Sequence, residues 1–177
     1  MAASKGLFSS TLISDDIKTS FPEGYVARSL ERTDFAKGFL DCLGVLTWVG
    51  DLTEDEFYER YDEMNTQGKG TYYLIVIEYE GRIVGTGSLI VEKKFIHNRG
   101  MCGHIEEISI AKEHQGKHLG QKLLASLDSV AKNVGCYKTI LDCSPEKEPF
   151  YVKCNYHNSG TEMSHYFEES KDSYHRG

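Results

Sequence analysis

The stretch Gln115-Gly116-Lys117-His118-Leu119-Gly120 opens onto a run whose apolar residues recur at helical spacing: Leu119, Leu123, Leu124, Leu127, Val130, Ala131 and Val134. Gly135 ends that run, because a glycine just past a last turn takes the left-handed conformation without a side-chain clash. Residues 104–110 before the loop and 137–143 after the helix read as strands. The segment 104–143 is therefore strand, loop, helix, strand. The expected architecture is α/β, a mixed sheet with one central βαβ crossover. A glycine-bearing loop at a helix N-terminus is also a device for holding phosphate. The first N–H groups of the helix have no internal partner, and the helix dipole adds positive character. Lys117 and Lys122 add charge to this loop. The absence of Ser or Thr after a lysine excludes a P-loop, and the three-glycine dinucleotide fingerprint is missing. An ordinary loop and helix start has the same spacing.

Outward from this core the patterns alternate. Residues 25–30 read as a strand begun by the Pro22-Glu23-Gly24 turn. Residues 34–46, apolar at 35, 39, 40, 43 and 46, are expected to form one helix. Thr53, with Glu56 three positions on, makes a capping box for another helix ending near Asn65. Two β-rich runs, 71–80 and 83–95, flank Glu80-Gly81-Arg82 and predict an antiparallel hairpin. A short helix starts near Pro149, where a missing N–H costs nothing, and 156–167 supplies one or two edge strands. No repeat or Gly/Pro/Ser-rich linker divides the chain. The expected organisation is a loosely held arm (1–20), one domain (21–167) and a polar tail (168–177).

A chain of 177 residues buries a core without disulfides or metals as staples. The formal net charge of −7 offers no general attraction to nucleic acid or an anionic membrane, so an anionic substrate would need local cations. The longest apolar stretches, such as 72–77, are strand-sized and too short to span a bilayer. The first residues do not read as a secretory signal, and the lack of an arginine before Arg28 argues against a mitochondrial presequence. Cys42, Cys102, Cys136, Cys143 and Cys154 form no C-x-x-C pair and are odd in number, which points to reduced thiols and a cytoplasmic location.

His104-Ile105-Glu106-Glu107-Ile108 sets two carboxylates inside an apolar strand. Alternation sends them to opposite faces, so at least one is expected to point toward the interior or a cleft. An edge strand with both groups wetted is the plain alternative. Asp142 repeats the anomaly in Ile140-Leu141-Asp142-Cys143. Acidic groups at neighbouring strand ends, beside a phosphate loop, suit an amine-bearing substrate.

At this point two resemblances enter. Gln115 to Gly120, ahead of an amphipathic helix, resembles the pyrophosphate loop of the GNAT acetyltransferase superfamily, Q/R-x-x-G-x-G/A, with His118 standing at the middle glycine. Val45-Leu46-Thr47-x-Val49-Gly50, Glu92-Lys93-Lys94-Phe95-Ile96-His97, the Glu106-Glu107 strand, Gly135 to Cys143 and Phe150-Tyr151-x-Lys153-Cys154 resemble eukaryotic glucosamine 6-phosphate N-acetyltransferases, fungal ones especially. The similarity runs from about Leu12 to Phe167.

The resemblance implies a GNAT fold, a single domain with a mixed, mostly antiparallel central sheet flanked by helices. It implies acetyl transfer from acetyl-CoA, without a metal, to the amine of glucosamine 6-phosphate for UDP-N-acetylglucosamine biosynthesis. It also implies a homodimer. On the same basis Ile108, Ser109 and Ile110 meet the pantetheine arm, and Gln115, Gly116, Lys117, His118, Leu119, Gly120 and Gln121 hold the pyrophosphate. Thr47, Lys94, Phe95, Ile96, His97, Glu106, Glu107, Ile108, Tyr137, Lys138 and Asp142 match the sugar-phosphate site, with Lys94, His97 and Lys138 as phosphate ligands. Glu106, Glu107, Asp142 and Tyr151 match the catalytic group. A carboxylate would accept the amine proton, N–H groups near Glu107 and Ile108 would meet the oxyanion, and Tyr151 would meet the departing thiolate and so also contact the coenzyme. Relatives usually carry Asp at Glu107, and some carry at Tyr166 an Arg that reaches the partner subunit's phosphate.

His114 and His118 are spaced like a metal pair but precede the helix and lack a third ligand. Two other functional readings stay open. One is an acetyltransferase of the same fold acting on a polyamine or protein lysine, which Lys94, His97 and Lys138 disfavour. The other is a non-catalytic acyl-CoA-binding module.

Overall fold

The computed structural model describes residues 6–167, so the expected tail 168–177 lies outside the described residues. The helices α1 (Asp15–Ser20), α2 (Phe39–Leu43), α3 (Glu54–Asn65), α4 (Leu119–Val134) and α5 (Glu148–Val152), with one distorted turn at Ile96–Arg99, surround five strands: β1 (Tyr25–Ser29), β2 (Tyr72–Tyr79), β3 (Arg82–Lys93), β4 (Met101–Ile110) and β5 (Cys136–Ile140). The sheet order is β1-β2-β3-β4-β5. Its first four strands are antiparallel neighbours, and β5 runs parallel to β4. Local sequence explains much of this. Thr53 and Glu56 close the capping box at the start of α3. Glu80 and Gly81, both at positive φ, turn β2 into β3 with the twist that two-residue hairpins favour. The apolar stripe of α4 is buried from Leu119 to Ala131, and Gly135 caps it in the left-handed conformation.

Four expectations need correction. Residues 34–46 do not form one helix. Gly38, at φ 84°, separates a 3-10 segment (Arg32–Lys37) from α2, and a left-handed residue cannot continue a right-handed helix. The break lets Asp34, fully buried, accept two guanidinium bonds from Arg28 on β1 at 2.8 Å each and the N–H of Glu31 at 2.8 Å. The described part of the stretch expected as a loose arm, from residue 6 on, is docked: Leu7, Phe8 and Ile13 are buried, and Ser14 bonds Ser129 of α4. The βαβ crossover lies at the sheet edge rather than its centre, and β5 ends at Ile140 instead of reaching 143. Residues 156–167 form no strand among the described residues. Their first residue is nevertheless anchored. Tyr156 and Thr139 of β5 both donate to Oδ1 of Asp128 on α4, at 2.7 and 2.8 Å.

The core lies between α4 and the sheet, where Leu123, Leu124, Leu127 and Val130 have no solvent exposure and face Ile75, Ile77 and Leu89, equally enclosed. Leu127→Ala would leave a cavity there and is expected to lower the unfolding free energy by about 2–5 kcal/mol, read from urea denaturation.

Candidate active site

The site is built on an irregularity in β4. Thr86 pairs with Ser109 and Ser88 with Glu106, so two residues, Glu107 and Ile108, stand opposite the single Gly87. Glu107 takes φ 56°, a left-handed conformation that is uncommon for a residue with a side chain. Gly87 has no room for a Cβ, which would lie 2.7 Å from Ile108 Cδ1 and 3.0 Å from Leu127 Cδ1. The bulge bends β4 away from β5. Their parallel pairing covers only Met101 to His104 on β4, and β4 then continues to Ile110 paired with β3 alone. Ala111 donates its N–H to the carbonyl of Val84, which fixes the alternation along this part of β4. The backbone groups of Ser109 face β3, whereas those of Ile108 and Ile110 face the opening. Gln115 Nε2 donates to the carbonyl of Ile110 at 3.0 Å. Ser109 itself is locked to α2, donating its hydroxyl to the carbonyl of Cys42 at 2.6 Å.

The bulge also overturns the expectation that Glu106 and Glu107 point to opposite faces. Glu106 lies across from Ser88 and shares its face. The extra residue turns Glu107 to the same face, where its Oε2 accepts the Ser88 hydroxyl at 2.9 Å. Packing around Glu106 raises its pKa above the ordinary glutamate range, helped by the nearby Asp142 and Glu107 charges and opposed by His104. Tyr151 of α5 stands close enough to Glu106 and Cys143 to feel both. Burial is the main reason its phenol is held protonated to a higher pH than usual. Burial raises the Cys143 thiol, with Glu148 and Asp142 adding to the effect, so that side chain is a poor nucleophile.

Cations collect toward the other end of the same strand. Alternation puts His104 on the face of Glu106, and Lys138 lies in register with Cys102 on that face. Lys94 bonds Glu92 at 2.7 Å, and the same carboxylate holds His104 Nε2 at 2.8 Å. These two bonds hold the Glu92 carboxyl below its ordinary range. The β3–β4 connection coils through Ile96–Arg99 with His97, Asn98 and Arg99 all at positive φ. His97 stacks against Tyr137 at 4.4 Å, and Phe95 at the tip is almost fully exposed.

The loop into α4 has Gly116 at φ 77° and His118 at φ 60°, and no side chain caps the helix, so its first N–H groups remain available to an anion. Lys117 does not add its charge there. Its ammonium turns to the hydroxyl of Tyr25 at 3.0 Å. His118 and His114 do not form a metal pair: His118 meets Gln121, and His114 meets Tyr25. Among the described residues no cluster of three His, Cys, Asp or Glu side chains could hold a metal. Sequence reading gave no role to Ser88, Glu92 or His104. Alternation from Glu106 back to His104 was the available signal for His104. Ser88 needed the strand register.

Comparison with known proteins agrees with this geometry. Residues 35–156 match the Acetyltransferase (GNAT) family. A glucosamine 6-phosphate N-acetyltransferase of Candida albicans is 46% identical over 80% of this chain and 95% of its own length. The Arabidopsis thaliana enzyme of that name is 43% identical over 82% and 99%. A crystal structure of the Arabidopsis enzyme superposes with a TM-score of 0.79, at 43% identity, covering 82% of this chain and all of that one. A Trypanosoma brucei acetyltransferase gives 0.74 at 30% identity, over 81% and 99%.

Because Asp142 is one of the charges that raise Glu106, Asp142→Asn is expected to move the Glu106 pKa down toward the ordinary glutamate value. Carboxyl 13C chemical shifts followed through a pH titration would measure the change.

Proposed function

The chain belongs to the GNAT acetyltransferases and, within them, to the glucosamine 6-phosphate N-acetyltransferases. On that premise we propose that it moves the acetyl group of acetyl-CoA onto the amine of D-glucosamine 6-phosphate. The observation that carries this reading is the parting of β4 from β5, with Glu106, Glu107 and Asp142 gathered at one end and Lys94, His97 and Lys138 toward the other. An amino sugar phosphate is a bipolar ligand of that kind.

The acetyl thioester would lie along the opening, where the backbone groups of Ile108 and the N–H of Ile110, turned away from β3, add the pantetheine arm as a further strand, and the pyrophosphate would meet the uncapped start of α4. Transfer is then direct. The neutral amine attacks the carbonyl carbon, the C–N bond forms as the C–S bond breaks, and the developing oxyanion is met by N–H groups at Glu107 and Ile108. Glu106, with its raised pKa, is the candidate acceptor of the amine proton, directly or through a water. Tyr151, held protonated by burial, is the candidate donor to the thiolate. Lys94, His97 and Lys138 bind the phosphate dianion, with Lys94 released from Glu92 as the phosphate takes it over.

We also place the protein in the cytoplasm as a homodimer. Phe95, Ile96, Tyr137 and Ile140 expose apolar surface beside the free edge of β5, and a second copy would cover both. No described helix is long and apolar enough to cross a membrane.

Release of CoA thiol, followed with acetyl-CoA and glucosamine 6-phosphate, glucosamine or spermidine, tests the substrate. Turnover is expected only with the phosphorylated sugar, and turnover with spermidine alone would discard the sugar. Lys138→Ala is expected to raise the sugar-phosphate KM by about 10- to 100-fold, as for loss of one charged hydrogen bond. The proton acceptor is tested separately. Glu106 must be ionised to accept a proton, so the acid limb of kcat is expected to lie above the ordinary glutamate range and to vanish in Glu106→Gln.

A further inference from the structure

Two residues on either side of Gln115-Gly116 converge on one hydroxyl from the far edge of the sheet. Tyr25 of β1 places its OH 2.9 Å from His114 Nδ1 and 3.0 Å from Lys117 Nζ. The Tyr25 ring cannot drift, because it stacks on Tyr79 of β2 at 4.4 Å and an edge of His114 packs against both rings. Lys117 also reaches the carbonyl of Glu113 at 3.5 Å. The loop is otherwise exposed between His114 and the start of α4. We propose that Tyr25 is a positioning residue for the coenzyme, its hydroxyl clamping the loop that presents the α4 N-terminus to the CoA pyrophosphate. The inference rests on the coenzyme site of the proposed function.

An ammonium only donates, so Lys117 occupies a lone pair of the Tyr25 oxygen, and His114 Nδ1 makes the second hydrogen bond to the same hydroxyl. Without that oxygen the two residues have no shared partner on the sheet, and the loop between them loses its tie to β1.

The test is CoA affinity by calorimetry, with kcat and both KM values. Tyr25→Phe keeps the stack and removes the clamp. It is expected to weaken CoA binding about 5-fold, the size of one neutral hydrogen bond, with the sugar KM unmoved. His114→Ala removes one of the two bonds to the same hydroxyl, so it should weaken CoA binding in the same direction and add little to Tyr25→Phe in the double variant. Unaltered CoA affinity in Tyr25→Phe, or fully additive losses in the double variant, would overturn the clamp. If Tyr25→Phe is not recovered folded, the CoA affinity of His114→Ala decides alone. Binding of CoA with no turnover of any sugar phosphate would instead sink the proposed function and leave the clamp to be judged by affinity.

Discussion

One residue too many on β4 governs the rest of the site. Because Glu107 and Ile108 share the place opposite Gly87, the strand must bend, and the bend takes it out of register with β5. A left-handed conformation for a residue with a side chain costs roughly 1–2 kcal/mol, and the surroundings hold it in place. Gly87 vacates the space that Ile108 fills, Leu123 and Leu127 press from α4, and Ser88 ties down the Glu107 carboxylate. The same bend opens a row of backbone groups and brings two adjacent carboxylates to one face. Neither result is available to a regular strand.

Charge is distributed along that face in a way the net charge of −7 conceals. Lys94, Glu92 and His104 form a chain in which one carboxylate serves two bases, and the carboxylates of Glu106, Glu107 and Asp142 follow with no cation bonded to them in the same manner among the described residues. Each cluster would be costly to assemble in isolation. Their adjacency lowers that cost, and His104 moderates the rise in the Glu106 pKa.

The legible parts of the fold are those decided within a few residues. The stripe of α4, its glycine stop, the Thr53 capping box and the Glu80-Gly81 hairpin all depend on side chains that are neighbours in sequence, and all were readable. What failed depended on distant partners. Gly38 breaks a helix whose apolar spacing looked continuous, because Asp34 is drawn to Arg28. The N-terminal stretch looked loose until Ile13 found α4. At the site, Glu106 and Asp142 could be picked out as carboxylates in odd places, while Tyr151 was singled out only by the family resemblance, and the three lie together. The shared face of Glu106 and Glu107 could not be read, since a bulge is a property of two strands in register. Lys117 looked like a phosphate ligand because nothing local announces Tyr25, on a strand far back in the chain.

The placement of β5 at the sheet margin has a kinetic consequence. It is five residues long, is paired to β4 at four positions, and is held from behind by the hydrogen bonds that Thr139 and Tyr156 make to Asp128. The four-stranded antiparallel meander does not need β5 to keep its own ladders. Separating β5 from β4 would break only the pairing of those two strands, so without a partner on that edge β5 amide protons are expected to exchange more readily than those of β2 and β3, which are paired on both sides.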